Sequence, residues 1–166
     1  MERMGEGENG RVGERRNGRI CKICEFGRTL LNLLLSLLKL IIMKILRSHK
    51  ELEVYQLAFK TSMEIFHISK SFPKDEVFSL TSQIRRSSRS VSANIAEAFR
   101  KRRYERAFVS KLSDSEAEAA ETQVWLDYSM ECGYISDSIR LKLFNDYDNI
   151  IGKIINMMNH PDKWSI

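Results

Sequence analysis

The sequence predicts an all-α chain folded as an antiparallel up-down four-helix bundle, preceded by an extra apolar helix and a disordered N-terminal tail. Three observations carry this. Helix breakers are scarce: there are two prolines and eight glycines, and five of those glycines precede residue 19. Apolar residues recur at three- and four-residue steps through four later stretches. Between those stretches lie Phe72-Pro73, the segment 99–104 and Gly133, where helices are expected to end. With 166 residues, 43% hydrophobic and 30% charged, the composition is that of a globular domain with a modest core.

Residues 1–28 are rich in Gly, Arg, Glu and Asn and lack a hydrophobic period, so they are expected to form a disordered tail. Residues 29–47 form the apolar helix. Asn32, Ser36, Lys39 and Met43 fall on one narrow stripe of it. A membrane span needs about 20 apolar residues with few charges, and Lys39 would sit inside the bilayer, which argues against membrane contact through 29–46. The tail before it is long and no A-x-A-like cleavage site follows, unlike a signal peptide. Three readings of the segment stand: an anchor or interfacial helix, a helix packing on its own or a neighbouring bundle, or an upstream extension of a protein starting at Met43.

The bundle is expected over 48–160. Ser48 and Glu51 have capping-box spacing and open the first helix, which runs to about Ser71 with Leu52, Tyr55, Phe59, Met63 and Phe66 inward. Asp75 and Glu76 open the second helix, where carboxylates complement the amide end. Its seam is Val77, Leu80, Ile84, Ser87, Val91, Asn94 and Ala98, with Ile95 beside it. Ser87, Ser88, Ser90, Ser92, Ala93 and Ala96 let a neighbouring helix come close. Unbroken, this helix would reach residue 132 as a rod of roughly 87 Å, so a break is placed at 99–104. The third helix spans about 104–132 with Phe108, Leu112, Ser115, Ala119, Thr122, Leu126 and Met130 inward, and Gly133 ends it. Ser136 caps the fourth, which turns Ile139, Leu143, Tyr147, Ile150, Ile151, Ile154 and Met158 inward until His160-Pro161.

Chemistry is thinly signalled. His49, His67 and His160 are scattered with no nucleophile beside them, so a catalytic role is not expected. Cys21 and Cys24 have zinc-ligand spacing but lack two further ligands, and Glu64-x-x-His67 lacks the second such step a di-iron bundle needs. No metal or cofactor is expected. Three cysteines imply no disulfide framework and fit the cytoplasm.

Charge says more. The net charge is +5 with pI ≈ 9.2, which permits nucleic-acid contact without demanding it. Arg85, Arg86, Arg89, Arg100, Lys101, Arg102, Arg103 and Arg106 lie on the second helix and its following turn; Asp114, Glu116, Glu118, Glu121, Asp127 and Glu131 lie on the third. Either these faces pair within or between subunits, or the basic set contacts nucleic-acid phosphates. Only Tyr104 interleaves the basic turn, so sequence-specific readout is not expected. Asn94, Glu97 and Glu121 are expected to form a structural polar network that sets register across the seam.

Three segments carry a resemblance: KELEVYQLAF at 50–59, FPKDEVFSLTSQIRRSSRSVSANIAEAF at 72–99 and SDSEAEAAETQVWLDYSMECGYI at 113–135. Together they resemble the four-helix-bundle family of proteins encoded in intervening sequences of bacterial 23S rRNA genes. The accessory protein of diversity-generating retroelements is a related branch. The most specific part is L-T-S-Q-I-R-R followed by N-I-A-E. The chain departs where the family often has proline and glycine, holding Ser92 and Ala98, and RKRRYER replaces a Gly-rich turn. The resemblance implies a homo-oligomeric ring, typically a pentamer, and nucleic-acid (RNA or DNA) binding. The alternative is a protein-interaction module, such as a reverse-transcriptase accessory partner.

Overall fold

A computed structural model of the chain describes residues 27, 29–35, 37–38 and 46–165. The chain divides into two units, 1–38 and 39–166. In the first, the described residues are helical and their leucines, Leu30 to Leu38, are about half exposed. Among the described residues no helix is long and apolar enough to cross a membrane. Most of the expected tail and residues 39–45 of the expected apolar helix lie outside the described residues. Leu46 and Arg47 are not helical, so that helix does not reach 47.

Every regular element in the second unit is helical. Four α-helices follow one another: α1 Glu53–Ile68, α2 Leu80–Arg100, α3 Glu105–Glu131 and α4 Asp137–Asn159. Residues 101–104 and 132–136 are short links, which make neighbours antiparallel. Each helix packs on the next, and α4 packs back on α1, closing an up-down bundle. Gly133 ends α3 at φ 74°, a left-handed position where a side chain would be strained.

The core joins Ile84, Val91 and Ile95 of α2 to Leu112 and Leu126 of α3 and to Tyr147 and Ile150 of α4, all fully buried. Polar seams run through it. Ser115 donates to the Val91 carbonyl at 2.8 Å, and the Ser87 and Thr122 hydroxyls lie 2.9 Å apart. Small hydroxyl residues thus let α2 and α3 approach closely and still satisfy their polar atoms.

Four details differ from the sequence reading. The Ser48–Glu51 capping box forms, with Glu51 accepting from the Ser48 amide at 3.1 Å, but it closes a single 3-10 turn, His49–Glu51, and α1 starts at Glu53. On α1 the inward residues are Val54, Ala58, Thr61, Ser62 and Ile65, while Phe59 is 51% exposed and Tyr55, Met63 and Phe66 are half-buried. One position along a helix is about 100° of rotation, and the small stripe lets α1 sit closer than the bulky one would. At two ends the inward position shifts by one residue, with Ser129 and Met157 buried in place of Met130 and Met158.

The fourth concerns the start of α2. Lys74–Glu76 is a 3-10 turn, Val77 and Phe78 are exposed, and the α-helix begins at Leu80. The reason is Glu76. Its carboxylate accepts from the Ser79 hydroxyl, from the Leu80 amide at 3.2 Å and from the Tyr134 hydroxyl at 3.1 Å. It therefore caps the helix from outside instead of lying in its first turn. The Ser79 bond, then the Leu80 amide, hold the Glu76 carboxyl below the usual carboxylate range. A depressed carboxyl contributes stability above its unfolded value and loses it as pH falls through the folded one. Acidification below the ordinary carboxylate range is thus expected to lower the hydrogen-exchange protection factors of the first turn of α2. Glu76→Gln should remove that acid-dependent step; its persistence in the variant would assign the step to another group.

Candidate nucleic-acid interface

Arg85 and Arg89 are four residues apart on α2 and share a face; Arg86 is turned about 100° from Arg85. The shared face meets the end of α1. Arg85 Nε donates to Ser69 Oγ at 2.7 Å. The Arg85 and Arg89 guanidinium groups lie 5.1 and 5.4 Å from the centre of the Phe66 ring, and Lys70 Nζ lies 4.8 Å from it. One aromatic ring therefore collects three cations, each attracted to its electron-rich face. Lys70 comes from the 3-10 turn Ser69–Ser71 that follows α1.

Arg89 and Arg100 are eleven residues apart, three helical turns, so the face continues toward the α2–α3 turn. Arg100, Arg103 and Arg106 are exposed there. His49, Ala96, Glu97, Arg100 and Lys101 line a cleft of about 410 Å³.

Arg102 does not belong to this surface. It is 6% exposed, its Nε donates to the Phe99 carbonyl at 2.9 Å, and its guanidinium lies 3.6 Å from the centre of the Phe99 ring. Burial, then the Arg100 charge, hold it below the usual arginine range. The expectation that Arg102 contacts phosphate is corrected: Phe99, itself buried, draws the side chain over the end of α2, where a cation also meets the helix carbonyls. Lys101 is half-buried and sits 3.8 Å from Glu97.

The remaining basic residues have no acid. Among the described residues Arg85, Arg86, Arg89, Arg100, Arg103 and Arg106 form no ion pair. The acids go elsewhere: Glu97 and Asp114 to Lys111, Asp127 to Arg140, Glu64 and Asp146 to Lys142, and Glu53 to Lys153. Burial, then the neighbouring Glu121 charge, hold the Glu118 carboxyl above the usual carboxylate range, with Arg86 opposing.

The expected polar network of Asn94, Glu97 and Glu121 is not formed. Asn94 is half-buried and its side chain bonds no described residue, Glu97 pairs with Lys111 at 3.3 Å, and Glu121 accepts from the Trp125 indole at 2.9 Å. A partner one turn along the same helix captures Glu121, and the contacts that join α2 to α3 are those of Ser87, Thr122 and Ser115.

Phe66 and Lys70 are functional residues that sequence reasoning missed. Phe59, Phe66 and Lys70 lie seven and eleven residues along one helical face, a spacing that signals a shared surface once α1 is rotated to bury its small stripe. Of the histidines, His49 packs edge-on against Tyr55 and His67 against Phe66. Among the described residues no three His, Cys, Asp or Glu side chains are grouped to hold a metal ion.

A family model described as 23S rRNA-intervening sequence protein matches residues 50–156. Among solved structures, the chain is similar to a protein with unknown function from the S23 ribosomal protein family of Bacteroides thetaiotaomicron. The two are 27% identical with a TM-score of 0.58, over 63% of this chain and 97% of that one. No curated protein matches the chain.

Proposed function

The chain belongs to the 23S rRNA-intervening sequence protein family, and we propose that its bundle is a binding protein, not an enzyme, that holds RNA or DNA by the phosphate backbone with little sequence preference. The observation that carries the reading is the set of arginines on α2 and the following turn that no acid neutralises. From Arg85 to Arg100 they span about 22 Å of helix, enough to follow several phosphates. Cations on a rod of this kind position a nucleic acid and do not read bases. Assembly into a homo-oligomeric ring belongs to the same proposal, because each added copy repeats the basic face and raises avidity.

Filter binding of the full chain to a labelled RNA hairpin and a labelled DNA duplex tests it. The expected dissociation constants are about 1–100 µM at physiological salt, differing less than about tenfold between unrelated sequences. Retention of neither probe rejects the reading and leaves an acidic protein surface, such as that of a reverse transcriptase, as the partner of the arginines.

A further inference from the structure

The aromatic face of α1 is unexplained by phosphate contact. Phe59 is 51% exposed, and the Tyr55 and Phe59 rings stack with centres 6.2 Å apart and planes inclined by 21°. Phe66 follows two turns further along, about 10 Å away, carrying Lys70, Arg85 and Arg89. Aromatic rings and unpaired cations thus form one continuous strip along α1 and α2.

Resting on the nucleic-acid reading above, we propose that this strip selects unpaired strands: Phe59 and Tyr55 receive exposed bases while Lys70, Arg85 and Arg89 hold the adjoining phosphates. Two features favour this occupant. Arg85 is anchored through Nε to Ser69, so its terminal nitrogens are preorganised and have no partner among the described residues. The rings are flanked by three cations, whereas the centre of a contact between copies of a chain is depleted of charge. A duplex hides its base faces, so only an unpaired strand uses the rings and the cations together. Phe66 acts as a positioning residue, fixing where the cations stand.

The test uses the full chain, a labelled uridine strand of about 16 nucleotides and an RNA duplex of the same length. Phe59→Ala is expected to weaken strand binding by roughly 5- to 100-fold and leave duplex binding unchanged. Phe59→Trp should retain strand affinity, with its fluorescence quenched by the strand and not by the duplex. Equal losses on both probes, or none, overturn the proposal. So does a fall in the native mass of Phe59→Ala below that of the unaltered chain, which would make the strip a contact between copies. If the unaltered chain binds neither probe, the wider reading fails with it; if it binds both and Phe59→Ala changes nothing, only this inference fails.

Discussion

Neutralising Arg85, Arg86, Arg89, Arg100, Arg103 and Arg106 together to glutamine is expected to weaken RNA binding by the full chain on the order of 100- to 10,000-fold. Exposed charge contacts are individually small, roughly two- to fivefold each, but six of them multiply. None of the six forms an ion pair among the described residues, so their removal breaks no salt bridge there. The fold should therefore survive, which circular dichroism checks. Arg102→Met is the control. It removes a cation from the same basic run, RKRRYER, yet Arg102 is buried against Phe99. The variant should melt lower and bind RNA as before. A loss of affinity in Arg102→Met as large as that of an exposed arginine would mean that local charge density, and not a particular exposed face, holds the nucleic acid.

Ile95→Ala is expected to lower the unfolding free energy by about 2–5 kcal/mol. The side chain is fully buried in the α2 seam, and truncation there loses its transfer energy and leaves a cavity that close-packed helices fill only in part. The same substitution at Val77, one of the apolar positions that sequence periodicity puts on that seam, should change stability by no more than about 0.5 kcal/mol, because Val77 is 46% exposed ahead of the helix. Urea unfolding of the two variants measures both. Comparable losses would return the start of α2 to residue 75.

That contrast shows where the sequence was legible. Helices α2, α3 and α4, the break at 99–104 and the Gly133 ending follow from apolar spacing and the positions of breakers, which are local properties. The face of α1 was not legible, because two adjacent stripes satisfy the same period. Hydrophobicity favours Tyr55, Phe59 and Phe66; close approach favours Val54, Ala58 and Thr61 and prevails. The start of α2 was misread because Glu76 has the charge of a first-turn residue but reaches the helix from outside it. The candidate site divides in the same way. Its arginines on α2 were visible as a run. The burial of Arg102, the capture of Glu121 by Trp125 and the gathering of Lys70, Arg85 and Arg89 around Phe66 depend on side-chain direction and on residues far apart in the chain.

The most direct test of phosphate binding by the unpaired arginines is the slope of log affinity against log salt concentration for the full chain and a single-stranded RNA. Contact by three to six of these arginines predicts a slope between about −2 and −4 for each bound chain, and a shallower slope when Arg85 and Arg89 are neutralised. An affinity indifferent to salt, or a slope that the neutralised variant leaves unchanged, contradicts the account.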